Sequence, residues 1–315
     1  MRLGVVGMLP SDSQAVPSSQ GQETRTLGLT GSGVANILPN DFRTFTPSQF
    51  DPIRALGLTG FGHHFGPDPA DVTDGDCERA RVAWEELGLD LAQFALLYPE
   101  CLFDPNDAVR RAVIARIKAG NRVARLLRAG VHLIRPGSLN PAGSWTPHPD
   151  NHRPDSVNRF VASLREIADD AEANEVTIVV ESHVVSLMRS PEVCVEVVDR
   201  VGSPRIRIVL DPVNHFESIQ QTFNSTQRLH QIFDILGPIA PVGHAKDIRV
   251  GNDLVTHLDE AAPGEGLLDY ATFLTRFHQA NPDGYLLIEH IPPSKVPAAV
   301  AYIRRVAQEA GVEIR

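Results

Sequence analysis

Basic runs are missing from this chain. Lys and Arg number 29 against 39 Asp and Glu, a formal net charge of -10. Such a balance repels a polyanion at long range, so nucleic acid is not expected as a partner. Cysteine is scarce. Cys77, Cys101 and Cys194 are odd in number and far apart, which argues against a disulfide scaffold and a thiolate zinc site. No run approaches the ~18 apolar residues of a membrane span. The opening MRLGVVGMLP is too short an apolar stretch for a signal peptide. A cytoplasmic protein with no membrane partner is therefore expected. HExxH helices, nucleophile elbows and Walker loops are also lacking. GSGVAN from Gly31 starts like a dinucleotide fingerprint, but it lacks the last glycine and follows no clear strand.

What is present is an ordinary globular composition. Of 315 residues, 42% are apolar, enough for a sizeable core. From Val131 onward, short β-rich runs alternate with helical stretches. VHLIRP, VTIVVE, RIRIVLD, PVGHAKD and GYLLIEH read as strands. Between them, Val157, Phe160, Val161, Leu164, Ile167, Ala168 and Ala171 form the stripe of an amphipathic helix. Ser190-Pro191 opens another helix with a cap and a first-turn proline. TQRLHQIFDIL, LLDYATFLTRFHQA and SKVPAAVAYIRRVAQEA supply three more.

The first part follows the same rhythm. RLGVVGM, ALGLTGF and LDLAQFALL read as strands one to three. Pro47 to Leu56 reads as a short helix, and Pro105 to Ala129 as a long one that Gly120 threatens to break. Alternating strand–helix units imply a parallel sheet, and eight of them at this length imply a single-domain α/β fold, a (β/α)8 TIM barrel spanning 1–315. The polar, Gly/Ser-rich segment at about 11–46 then becomes a long loop after strand one.

Four successive strands end on side chains that bind metals: Glu181, Asp211, His244 and Glu289. In a barrel those ends converge on the face where the βα-loops build the active site. Three crowded carboxylates repel one another, and a divalent cation resolves the conflict. Oxygen-rich ligands with one nitrogen suit Mn2+, with Mg2+ or Co2+ as alternatives.

The segments VVES, LDPVNH, GHAKD, PGEGLLDYATFL and LLIEH, in that order, resemble the xylose-isomerase-like TIM barrels of the sugar phosphate isomerase/epimerase superfamily. The resemblance implies that Glu181, Asp211, His244 and Glu289 hold a catalytic divalent metal, often Mn2+. It also implies that Glu181 and Glu289 move the substrate proton, as in ketose 3-epimerases. The implied substrate is a small sugar derivative. The implied reaction is proton abstraction α to a carbonyl through an enediolate, by an isomerase or epimerase.

There are departures. Asn214 stands where ketohexose 3-epimerases carry a histidine, with His215 one further on. SHVVS lacks the arginine expected after the strand-five glutamate. The loop PGSLNPAGSWTPHPDN is similar to members acting on larger keto-sugar derivatives, such as catalytic subunits of C-glycoside deglycosidases. That gives an alternative: a lyase that releases the aglycone of a 3-oxo-glycoside, with a second small subunit as partner. A homo-oligomer is the default.

Other residues follow from their place. His148, in the loop after strand four, is a candidate base or substrate ligand, and Trp145 a wall for a sugar face. His63 and His64 follow the expected strand two, and one of them is expected to reach the substrate. His183 lies on the side of Glu181 if the strand continues. Asn214 and Arg249 complete the expected substrate contacts. Asp247 has a supporting role, and PGEG from Pro263 is a weak candidate for a phosphate cradle.

Overall fold

The regularly spaced apolar runs are the staves of a closed barrel. A computed structural model describes residues 1–6, 38–252 and 254–315. In chain order the first barrel strands are β1 (Arg2–Val6), β2 (Gly60–Phe65), β3 (Asp90–Leu96) and β4 (Val131–Ile134). They continue with β5 (Ile178–Val180), β6 (Ile206–Leu210) and β7 (Val242–Ala245). A hairpin of β8 (Asp247–Val250) and β9 (Leu258–Ala261) precedes the last stave, β10 (Tyr285–Ile288). All eight staves pair in parallel, and β1 closes the ring between β2 and β10.

The helices are α1 (Asp51–Ala55), α2 (Asp74–Glu85), α3 (Asp107–Leu126), α4 (Pro154–Ala173) and α5 (Pro191–Val201). After them come α6 (Ile219–Phe223), α7 (Ser225–Leu236), α8 (Tyr270–Ala280) and α9 (Val296–Glu309). Among the described residues no helix is long and apolar enough to cross a membrane.

Period-two alternation divides each stave into two faces. One face joins the layer beneath the helices, where Phe61, Phe94, Ile178, Ile208 and Leu286 pack with Phe160, Phe273 and Phe277. The other fills the barrel interior with Val6, Val131, Leu133, Val179, Val209, Val242 and Leu287. Tyr285 lies at the lower end of this interior, and the room for its ring comes from Gly60. A Cβ on Gly60 would lie 2.4 Å from the Tyr285 ring.

Some boundaries differ from the sequence reading. Strand two is Gly60–Phe65, not Ala55–Phe61. Leu56, Gly57 and Leu58 close α1 instead. Gly57 takes a left-handed φ of 65° and the Leu58 N–H donates to the Ile53 carbonyl. Gly120 does not break α3. Its missing side chain lets the helix press on the barrel, because a Cβ there would lie 2.6 Å from Leu96 and 2.8 Å from His132. Helix α2 and the β8–β9 hairpin were not anticipated. Of the expected loop at about 11–46, the part from 11 to 37 lies outside the described residues. Phe42 and Phe45, in its last part, pack against β2.

Candidate functional site

The inward face of each stave continues one step past its last interior apolar residue, and that step carries the chemistry. Val179 is followed two residues on by Glu181, Val209 by Asp211, Val242 by His244 and Leu287 by Glu289. The four side chains are buried, and one ligand-type atom from each lies within 4.8 Å of all the others. His244 Nδ1 is 2.9 Å from Glu289 Oε1 and 3.8 Å from Asp211 Oδ2. On its other side, His244 Nε2–H donates to Gln93 Oε1 at 2.9 Å. Gln93 thus fixes the ring with Nδ1 toward the carboxylates, as partners of metal-binding histidines do.

This donor set fits a divalent cation. His244 Nδ1, Glu289 Oε1 and both Asp211 carboxylate oxygens are buried without a hydrogen bond. One ammonium, that of Lys246, lies within ion-pair distance of Asp211 Oδ2 and Glu289 Oε1, and a divalent cation held by the four side chains would add to the compensation that this single charge gives to three buried carboxylates. Three carboxylates and one imidazole match the preferences of Mn2+ or Mg2+.

For the protein chain alone, the electrostatics divide the carboxylates. Burial, and then the Glu289 charge, raise the Glu181 carboxyl above its ordinary value. Burial would also raise Asp211, but Lys246 and then His244 outweigh it and hold that carboxyl down. At Glu289 burial is likewise overcome, by His244 first and Lys246 next. His244 is pushed up to about 10, since Glu289 and Asp211 prevail over desolvation.

Lys246 was not singled out from the sequence, although it shares the inward face with His244 two residues earlier. Its ammonium is 1% exposed, lying 2.7 Å from Asp211 Oδ2, 2.9 Å from Glu289 Oε1 and 3.2 Å from Glu260 Oε1. Glu260 comes from β9, and its Oε1 also sits 3.3 Å from His290 Nδ1. His290 itself has a left-handed φ of 56°. The hairpin therefore brings a fourth carboxylate to the rim.

The other expected residues separate clearly. Because β2 starts five residues later than read, His63 and His64 lie within it and face opposite ways. His63 points under the helices, with ring centroids 4.9 Å from Phe45 and 6.2 Å from Phe42. His64 faces the rim, where burial lowers it to about 4 against the pull of Glu289. His183 lies in a turn beyond β5, with Nδ1 accepting from the Val185 N–H. Its ring is 5.7 Å from Trp145, so these two residues do meet.

His148 caps a turn, its Nδ1 accepting from the Asp150 N–H at 3.2 Å, so that nitrogen is not available as a base. Asn214 donates to the Ser182 carbonyl and ties two loops together. Arg249 is 58% exposed and faces Asp259 across the hairpin, with 3.9 Å between their charged atoms. The PGEG turn is already filled. Asp247 accepts from the N–H groups of Gly264, Gly266, Leu268 and Ile248, so the amides of a candidate phosphate cradle hold the chain's own carboxylate.

Comparison with known proteins places this geometry. The family model described as xylose isomerase-like TIM barrel matches residues 50–306. No curated protein matches the chain. Among solved structures, the 3-keto-D-glucoside 4-epimerase YcjR from E. coli is 16% identical with a TM-score of 0.65, over 97% of this chain and 99% of that one. A xylose isomerase-like TIM barrel protein from Mycobacterium smegmatis in complex with magnesium is 14% identical with a TM-score of 0.64, over 84% and 87%. D-psicose 3-epimerase with D-tagatose from Clostridium cellulolyticum is 16% identical with a TM-score of 0.57, over 84% and 90%. The matched model spans most of the chain and all four convergent rim residues, and the chain belongs to the xylose isomerase-like TIM barrel family.

Proposed function

We propose that this chain is a divalent-metal-dependent sugar isomerase or epimerase that moves a proton α to a carbonyl. The observation that carries the reading is the convergence of Glu181, Asp211, His244 and Glu289 within 4.8 Å at the barrel rim. Structural neighbours named as epimerases of a ketose and of a keto-glucoside support it. Mn2+ is the proposed ion, with Mg2+ or Co2+ next. Bound there, it would supply Lewis-acid stabilisation of negative charge developing on a substrate oxygen.

The remaining work falls to side chains. Glu181 takes the proton from the carbon beside the carbonyl. Glu289, after taking a proton from solvent, returns it to the carbon while Glu181 releases its own to solvent, and the face of return sets the product. Trp145 and His183 wall the sugar on the loop side.

The test is metal content of the purified protein, followed by solvent deuterium exchange into keto-sugars with and without chelator. Bound metal and chelator-sensitive exchange are expected. Full exchange by metal-free protein, or none with any keto-sugar, overturns the reading.

A 3-oxo-glycoside is a second candidate substrate, suggested by the structural neighbour named as a 3-keto-D-glucoside 4-epimerase. In the lyase form of that reading an aglycone is released and a second small subunit takes part. In the epimerase form the chain works as a homo-oligomer.

A further inference from the structure

Strand parity singles out one more rim residue. In β4, Val131 and Leu133 face the barrel interior, and the next inward position is Arg135. It is 5% exposed. Its guanidinium lies over the Tyr98 ring, 4.8 Å from the centroid, and Nη2 donates to the Tyr98 carbonyl oxygen. The Tyr98 hydroxyl in turn accepts from the Arg135 N–H at 2.7 Å and donates to its carbonyl at 2.9 Å, fixing the backbone on which the side chain is mounted.

Nε is buried and has no hydrogen-bond partner. Among the described residues no carboxylate forms an ion pair with this guanidinium. Arginine does not shed its proton in a protein, so this is a permanent buried charge that meets no counter-ion among the described residues. Removing one partner from a buried pair is strongly destabilising because it leaves such a charge. Lys246, the other buried cation of the rim, meets three carboxylates. The Arg135 charge is felt at His64, where it adds to burial in keeping the imidazole neutral.

We propose that Arg135 anchors an anionic group of the substrate, a carboxylate or a phosphate, on the β4 side of the rim. The inference rests on the keto-sugar reading and narrows it to keto-sugar acids and keto-sugar phosphates. The guanidinium fork suits both, since each offers two oxygens to parallel N–H groups. The neutral imidazole of His64 leaves room for an anion without adding a second fixed charge.

The experiment measures calorimetric binding of D-glucuronate, D-glucose 6-phosphate and neutral D-glucose to the full chain saturated with Mn2+. One of the two anions is expected to bind about tenfold or more tightly than glucose, as a charge-assisted pair implies. Which anion it is separates carboxylate from phosphate. Arg135→Gln is expected to reduce that preference to less than about twofold, and Arg135→Lys to keep part of it.

Equal binding of all three sugars, or no binding of either anion, overturns the proposal. So does a preference that survives in Arg135→Gln. Should Arg135→Gln not fold, Arg135→Lys and the wild-type comparison decide. Binding is read without turnover, so this result stands apart from the exchange experiment. No anion preference together with chelator-sensitive exchange on neutral ketoses overturns the anion anchor and leaves the metal-dependent reading intact.

Discussion

Lys246 Nζ lies 2.7 Å from Asp211 Oδ2, on adjacent staves and out of contact with water. Burial alone would strip the proton from this lysine, yet Asp211, Glu260 and Glu289 together hold its pKa well above the ordinary value. The ammonium therefore acts as a resident counter-charge for the carboxylates. Lys246→Met removes it at nearly constant volume. The metal-free variant is expected to lose about 3–5 kcal/mol, the usual cost of breaking a buried pair from one side. Saturating Mn2+ should recover much of that loss, because the ion compensates the same oxygens. Thermal melts with and without Mn2+ measure both quantities, and an unchanged metal-free melting temperature would falsify this role.

Gln93 holds His244 from the side away from the carboxylates. Gln93→Leu keeps the bulk and removes the acceptor. Metal affinity is expected to fall about 10–100-fold, with the barrel intact by circular dichroism. Competition against a fluorescent chelator reads the affinity. An affinity within about twofold of wild type would mean the imidazole needs no such restraint.

His63 sits among aromatic rings and is lowered to about 3, burial being the main cause. Its folded-state pKa lies below the unfolded value of 6.5. The unfolded chain therefore binds this proton first. The stability contribution is complete above pH 6.5 and is lost as pH falls toward the folded pKa of about 3. His63→Phe is expected to flatten the acid limb of a stability–pH curve over that window by about 1.4 kcal/mol per pH unit. Exchange activity should be unaffected. Urea melts from pH 7 to pH 4 test the slope, and an unchanged slope refutes the assignment.

Gly120 is in a helix interior, where alanine normally stabilises. Here the added Cβ meets Leu96 and His132 at 2.6 and 2.8 Å. Gly120→Ala should destabilise by about 1–3 kcal/mol, overpacking prevailing over helix propensity. A gain in melting temperature would show that α3 has slack against the barrel.

The four convergent rim residues were legible because each ends an apolar run, and strands of period two announce which face comes next. Residues whose role depends on pairing across the barrel were not. Gln93 and His244 meet although they are 151 positions apart, and no local pattern marks a glutamine as the restraint of a distant ring. Lys246 shares the inward parity of His244, but its burial comes from carboxylates on other elements, which no local pattern announces. His63 and His64 could not be told apart without the register, since a slip of one residue exchanges the two faces. Helix α2 had a readable signal that went unused. Thr73 and Asp76 form a capping box, with Cys77, Ala80, Ala83 and Trp84 on the buried side. The β8–β9 hairpin lacked such a signal, because its strands are short and largely polar.

The alternation that lines up Glu181, Asp211, His244, Lys246 and Glu289 also limits how this barrel can diverge. Losing one amino acid inside β7 would put Ala245 and Asp247 in place of His244 and Lys246, and gaining one would put Gly243 and Ala245 there, so either change removes the imidazole from the rim. Two amino acids at a time preserve facing but shift the height by about 7 Å. Length changes that keep the ligand constellation are therefore confined to the connecting loops, and new specificities in this lineage are expected to arise there by insertion.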